Sequence, residues 1–174
     1  MKLNRNFTIS FILLAVVQIL MSNYMDFSLY IVFTILPVLI LFLPMKMNML
    51  IAMPIAFLTG LSVDFLADGL LGLNALSLVP VALLRKVIFT VTQGKGSFER
   101  DEELSFSRNS SGKLIPAVLL ALSIFLAIYI IADGAGTRPF WFNISRFGAS
   151  LGCSFILSMI TVHILLPPKE RWAR

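Results

Sequence analysis

The chain has 174 residues, of which 58% are hydrophobic and 13% are charged, and its mean hydropathy is +0.92. Soluble domains are nearer ~45–50% apolar, so this composition excludes a soluble globular protein and predicts an integral membrane protein. At roughly 20 residues for each spanning helix, the length allows six or seven helices and no separate catalytic domain. The lone Cys153 excludes an internal disulfide.

Apolar runs predict an all-α fold of six transmembrane helices in one domain over residues 1–174. The expected helices cover residues 7–22, 28–43, 48–67, 70–91, 114–132 and 141–166. Pro37 falls inside the second of them, and prolines are tolerated in membrane helices where neighbours satisfy the freed carbonyl. Residues 93–113 mix charges of both signs with glycine and serine, which predicts a mobile solvated loop. Residues 133–139 are interpreted as a turn.

The basic residues predict the orientation of the helices. If the amino terminus is cytoplasmic, twelve of the 14 Lys and Arg residues fall on the cytoplasmic side, and only Arg138 and Arg146 fall outside. Both termini and the 93–113 loop are then cytoplasmic. The net charge of +5 needs no nucleic acid, because cations beside an anionic leaflet act as membrane anchors. We expect Arg85 and Lys86 at that interface.

The third predicted helix carries small or acidic residues at every fourth position, namely Ala52, Ala56, Gly60, Asp64 and Asp68. Residues at this spacing share one face of an α-helix. A carboxylate that faces hydrocarbon is costly, so this stripe is expected to pack against protein rather than lipid. Gly60, together with Gly72 and Ala75 in the following segment, is interpreted as a close-packing position between the third and fourth helices.

The sixth predicted helix carries Gly148 and Gly152 in a G-x-x-x-G arrangement. This spacing permits close backbone approach, either within the chain or by a partner helix. Asp64 and Arg146 both lie roughly 6 Å from the outer ends of their helices, at 1.5 Å per residue. We therefore predict that helices three and six are neighbours and that these two residues form an ion pair. In the alternative, Arg146 extends to lipid headgroups and Asp64 is protonated.

The segment 60–85 resembles the signature region of the bacterial rod shape-determining protein MreD family, on the residues Gly60, Asp64, Asp68, Gly72, Ala75 and Arg85. The resemblance implies a non-enzymatic, multi-pass scaffold of the bacterial cytoplasmic (inner) membrane, without cofactors, that helps regulate cell shape and peptidoglycan synthesis. It implies an MreC-like bitopic partner and, indirectly, the actin-like filament protein and the wall-synthesis enzymes. Membrane lipids surround such a protein.

Two other classes of protein compete with this interpretation. The substrate-binding subunits of energy-coupling-factor vitamin transporters are compact six-helix proteins that the MreD family resembles in architecture. They would need a cluster of outward-facing aromatic and polar groups, for which the outer turns offer Trp141, Asn143, Tyr24 and Asn74. An intramembrane aspartyl protease needs two facing carboxylates, whereas Asp64 and Asp68 lie one turn apart on one helix. We therefore expect no enzymatic activity.

Overall fold

The computed structural model describes residues 5–24, 31–44, 47–68, 71–93, 111–135 and 137–165. Their regular secondary structure is helical throughout: α1 (Arg5–Tyr24), α2 (Leu36–Leu41), α3 (Met49–Val63), a π-helical segment (Asp64–Asp68), α4 (Leu73–Gln93), α5 (Ser111–Gly134) and α6 (Phe140–Leu165). The predicted mobile loop lies outside the described residues, apart from its two ends. The other predicted boundaries, except those of the second helix, agree with these helices to within a few residues.

Four stretches of the described chain are helical, long and apolar enough to cross a membrane: Met49–Ala67, Leu73–Thr92, Leu114–Gly134 and Phe140–Leu165. In α1 the apolar stretch is the shorter Thr8–Tyr24. The described part of the chain is thus all-helical, and its four long apolar helices are those of a membrane protein, as the composition predicts. By length and composition, four of the six predicted helices qualify as membrane spans.

Five helices form a closed ring around α2. In this ring α3 packs on α4, α4 on α5 and α5 on α6, and α1 closes the ring by contacting both α6 and α3. The central helix α2 contacts all five, and its six residues are buried. Because α1 lies between them, α3 and α6 are not in contact in the described part of the chain. The prediction that helices three and six are neighbours is therefore wrong.

The segment predicted as the second helix, 28–43, is helical only over Leu36–Leu41, and residues 31–35 are non-helical. Residues 31–35 include four β-branched side chains, which lose rotamer freedom in a helix. Pro37 lies in the first turn of α2, where a missing N–H group costs nothing. The proline therefore marks the start of a short helix, whereas we expected it inside a long one.

Gln18 of α1 provides hydrogen-bond partners for this non-helical backbone. Its Oε1 accepts a hydrogen bond from the Ile35 N–H (2.8 Å), and its Nε2 donates one to the Phe33 carbonyl (3.1 Å). Hydrocarbon offers no such partners, so irregular backbone at membrane depth has to be satisfied by protein groups. The Gln18 side chain is only 2% exposed, which places this interaction in the interior of the ring.

Two serines of α6 form hydrogen bonds with backbone groups of the same segment, on the side opposite α1. The Ser150 hydroxyl accepts a hydrogen bond from the Val32 N–H (2.9 Å). The Ser154 hydroxyl accepts one from the Thr34 N–H (3.1 Å) and donates one to the Val32 carbonyl (3.0 Å). The non-helical segment is therefore held between α1 and α6 by side chains of both.

Arg85 of α4 provides hydrogen-bond donors for backbone carbonyls in the chain that follows α2. Its Nη1 donates a hydrogen bond to the Leu43 carbonyl (3.1 Å), and its Nη2 donates to the carbonyls of Pro44 (3.2 Å) and Met47 (3.4 Å). A cation near the carbonyl end of a helix is stabilised by the helix dipole. We expected Arg85 at the membrane interface with Lys86. Lys86 is exposed, whereas Arg85 is 98% buried, so the Arg85 side chain faces protein. The depth of the two residues in the membrane stays a prediction.

We expect Ser154→Ala to lower the stability of the protein by roughly 1–3 kcal/mol, because the buried Thr34 N–H and Val32 carbonyl both lose a partner. Ser158→Ala is the matched control. Ser158 lies one turn further along α6 and is equally buried, and its hydroxyl has no hydrogen-bond partner in the described part of the chain. Thermal unfolding in detergent measures both. Equal midpoints for the two variants would contradict the role assigned to Ser154.

Candidate functional site

The junction between α3 and α4 is built around Asp64, whose side chain is fully buried. Its carboxylate accepts hydrogen bonds from the backbone N–H groups of Gly72 (3.0 Å), Asn74 (2.8 Å) and Ala75 (3.2 Å), and from the Asn74 side-chain amide (3.0 Å). Asn74 and Ala75 lie in the first turn of α4, where N–H groups have no intrahelical partner. Asp64 therefore caps α4 from the preceding helix, and its charge faces the positive end of the α4 dipole.

Two glycines make this capping geometry possible in different ways. A Cβ atom at Gly60 would lie 2.5 Å from both the backbone nitrogen and the Cα atom of Ala75, so a larger residue would displace α4. Gly72 has a φ of +98°, a conformation that favours glycine, and a Cβ there would meet nothing within 4 Å. Gly60 is a close-packing position as expected. Gly72 is instead the turn that brings the start of α4 over Asp64.

The rest of the small-residue stripe on α3 also faces protein. Ala52, Ala56 and Gly60 are buried together with Asp64, as the four-residue spacing predicts. The stripe ends in the π-helical segment. Its turns contain more residues than those of an α-helix, so residues four positions apart no longer lie on the same face. Asn23 of α1 donates a hydrogen bond to the Leu66 carbonyl in this segment (3.1 Å). The side chain of Asp68, the last residue of the segment, lies outside the described part.

A second polar cluster lies where α5 ends and α6 begins. The Nη1 atom of Arg146 contacts Asp133 Oδ2, and the same oxygen accepts a hydrogen bond from Arg138 Nη1 (2.9 Å). The predicted ion pair between Asp64 and Arg146 is therefore wrong. The helices that carry those two residues are separated by α1, whereas Asp133 lies 13 residues before Arg146 along the chain. Sequence reasoning assigned Asp133 to a turn and overlooked it as a partner.

The two faces of α6 differ in character. Its buried face carries polar residues at every fourth position, namely Arg146, Ser150, Ser154 and Ser158. This spacing is visible in the sequence, and it was the signal that could have identified the serines as partners for buried backbone. On the opposite face Gly148 and Gly152 are exposed, and a Cβ atom at either would meet nothing within 4 Å. We call this exposed face, Gly148, Gly152, Ile156 and Ile160, the α6 ridge.

An open groove of about 490 Å³ lies between the start of α4 and the end of α5, lined by Leu71, Gly72, Leu73, Leu76, Ala132 and Asp133. Its lining is apolar except for Asp133 and the backbone of the Gly72 turn. It adjoins the Arg138–Asp133–Arg146 cluster, because Asp133 belongs to both. Among the residues that the structure describes, no three His, Cys, Asp or Glu side chains are grouped so that they could hold a metal ion.

No family model matches the chain, and neither a curated protein nor a solved structure matches it. The chemistry available at these sites is therefore given by their own residues. The buried polar side chains described above form hydrogen bonds with backbone groups of the chain itself; they are Asp64, Arg85, Gln18, Ser150 and Ser154. These contacts stabilise the arrangement of the helices.

We expect Gly60→Ala to destabilise the protein by roughly 1–3 kcal/mol, because the added methyl group collides with backbone atoms of α4. Gly152→Ala adds the same methyl group on the α6 ridge, where there is space for it, and should not lower the unfolding midpoint, because alanine favours a helix more than glycine does. Thermal unfolding of the purified variants makes the comparison. Equal effects of the two substitutions would show that α3 and α4 can separate at no cost.

A double-mutant cycle should find coupling between Asp133 and Arg146 but not between Asp64 and Arg146. The Asp133 and Arg146 side chains are only 13% and 8% exposed, so loss of one partner leaves a charge largely buried, at a cost of up to roughly 3–5 kcal/mol. The double variant Asp133→Asn with Arg146→Gln should lose less stability than the sum of the two single variants. Asp64→Asn with Arg146→Gln should give additive losses, and coupling in this second cycle would contradict the contacts described above.

Proposed function

We propose that the chain is a non-enzymatic scaffold of a bacterial cytoplasmic membrane, which binds another membrane protein through contacts between helices. The observation that carries this proposal is the contrast between two sets of glycines. Gly60 packs closely against Ala75 inside the chain, whereas Gly148 and Gly152 are exposed and a Cβ atom at either would meet no described residue within 4 Å. Small residues at four-residue spacing allow a second helix to approach closely in a membrane, where packing drives association. The α6 ridge therefore offers a surface for a partner helix.

The location of the family signature supports the same proposal. Gly60, Asp64, Gly72 and Ala75 meet at the α3–α4 junction, and Arg85 holds the chain after α2. These roles stabilise a particular arrangement of helices and require no substrate. We therefore propose that the chain is a scaffold of the MreD type, with a role in cell shape and peptidoglycan synthesis. An actin-like filament protein and wall-synthesis enzymes would act with it indirectly.

The interior of the ring also favours a scaffold over a carrier of small molecules. A ligand site is a cavity with a few converging polar groups. Inside this ring α2 is in contact with all five surrounding helices, and its residues are buried. The interior polar groups Gln18, Ser150 and Ser154 hydrogen-bond the backbone of residues 31–35. A vitamin would have to displace these contacts.

We further propose six membrane crossings with both termini in the cytoplasm. The four long apolar helices would be joined by α1 and by the segment 31–44. The eight non-helical residues of this segment, at up to ~3.3 Å each, and its six helical residues, at 1.5 Å each, reach up to roughly 35 Å, enough for the ~30 Å hydrocarbon core. The asymmetry of the basic residues supports this orientation.

We expect Gly152→Leu to reduce the amount of an MreC-like bitopic partner that co-purifies with the chain by about tenfold, equivalent to the loss of one close helix contact. The larger side chain prevents a partner helix from approaching the α6 ridge. Quantitative co-purification after co-expression in the same membrane measures the effect.

Ser62→Leu is the matched control, because it adds similar bulk to an exposed position on α3. It should leave the partner bound. Equal recovery of the partner with Gly152→Leu and with the unaltered chain would rule out the α6 ridge as the binding surface. A chain that bound no such partner but retained a vitamin through purification would be a substrate-binding subunit of a transporter.

A further inference from the structure

The polar cluster between α5 and α6 carries an excess of positive charge. Two guanidinium groups, of Arg138 and Arg146, share one oxygen of Asp133, so the three side chains together have a formal charge of +1. Each guanidinium has five N–H donors, and in the described contacts each uses only its Nη1 on the carboxylate. The Nε of Arg146 is buried and has no hydrogen-bond partner among the residues that the structure describes. One further anion would balance this cluster.

The guanidinium of Arg138 is the more accessible of the two. Its side chain is 27% exposed, against 8% for Arg146. It lies over the ring of Phe142, with 5.7 Å between the guanidinium carbon and the ring centroid. This contact and the hydrogen bond to Asp133 hold the group in one place, and within the described part of the chain its other N–H donors have no protein acceptor. Arg138 is thus a fixed cation, open to a ligand from outside the chain.

The groove that adjoins this cluster is suited to a hydrocarbon chain. Its apolar lining consists of Leu71, Leu73, Leu76 and Ala132. Two of these side chains are largely exposed, Leu71 at 67% and Leu76 at 57%. Phe140 and Trp141 at the start of α6 are 72% and 78% exposed. Exposed aromatic residues at a helix end are typical of the level at which lipid headgroups meet the hydrocarbon. The charged cluster therefore lies at headgroup level, beside an apolar groove.

We propose that this end of the bundle binds one membrane lipid with a phosphodiester headgroup, its phosphate on Arg138 and Arg146 and one acyl chain in the groove. Arginine is well suited to phosphate because its planar fork donates two parallel hydrogen bonds. The surplus charge selects an anionic headgroup over a neutral one, and Asp133 fixes both guanidinium groups in position. The apolar lining of the groove distinguishes a lipid from free phosphate.

Native mass spectrometry of the purified full chain, titrated with phosphatidylglycerol, tests this proposal. We expect one lipid to bind more tightly than the rest. Its apparent Kd should rise about tenfold in Arg138→Gln, which removes a charge-assisted hydrogen bond, and by a similar factor in Leu76→Trp, which fills the groove. The two controls are Lys86→Gln, an exposed cation elsewhere on α4, and Leu83→Trp, an exposed leucine outside the groove. Neither control should change the Kd.

Two further ligands identify what the site recognises. Diacylglycerol with the same acyl chains lacks the phosphate, and inorganic phosphate lacks the chains. Both should bind at least about tenfold more weakly than phosphatidylglycerol if headgroup and chain contribute together. Equal affinity for diacylglycerol would make the charged cluster irrelevant, and equal affinity for inorganic phosphate would make the groove irrelevant. Either result, or equal phosphatidylglycerol binding by all variants, overturns the proposal.

Discussion

The fold depends on hydrogen bonds to backbone that is not helical. Residues 31–35 cross the interior of the ring without the internal hydrogen bonds of a helix, and an unpaired backbone group in an apolar environment costs several kcal/mol. Gln18 on one side and Ser150 and Ser154 on the other satisfy these groups. Their positions require α1 and α6 to lie on either side of the segment, and α1 consequently separates α3 from α6.

Two buried charged side chains are also stabilised by hydrogen bonds with backbone groups. Asp64 accepts from N–H groups at the start of α4, and Arg85 donates to carbonyls just after α2. Each charge is compensated by the backbone dipoles at a helix end, so the structure places an acid and a base among the helices without pairing them. Asp133 and Arg146, by contrast, form an ion pair near the end of the bundle, where the Asp133 side chain is still partly exposed.

Sequence reasoning predicts the long helices well, because each is a continuous apolar run with polar ends. The burial of the α3 stripe follows from its spacing. The break before α2 was missed because a proline is compatible both with the interior of a membrane helix and with a first turn, and only the β-branched residues before Pro37 favour the second. Three of the four hydrogen bonds that Asp64 accepts come from backbone N–H groups, which have no signature in a sequence. They are brought to the carboxylate by one turn at Gly72, whose positive φ is a property of the folded chain.

The hydrogen bonds from Val32 and Thr34 to the serines of α6 join residues 118 and 120 positions apart. Until α6 is in place, the N–H groups of this early segment lack the partners that the folded protein gives them. Residues 31–35 therefore cannot complete their hydrogen bonds until α6 has been synthesised, although they precede α3, α4 and α5 in the chain. During synthesis the ring stays open until α6 joins α5 to α1, so closure of the ring and completion of these hydrogen bonds depend on the same helix.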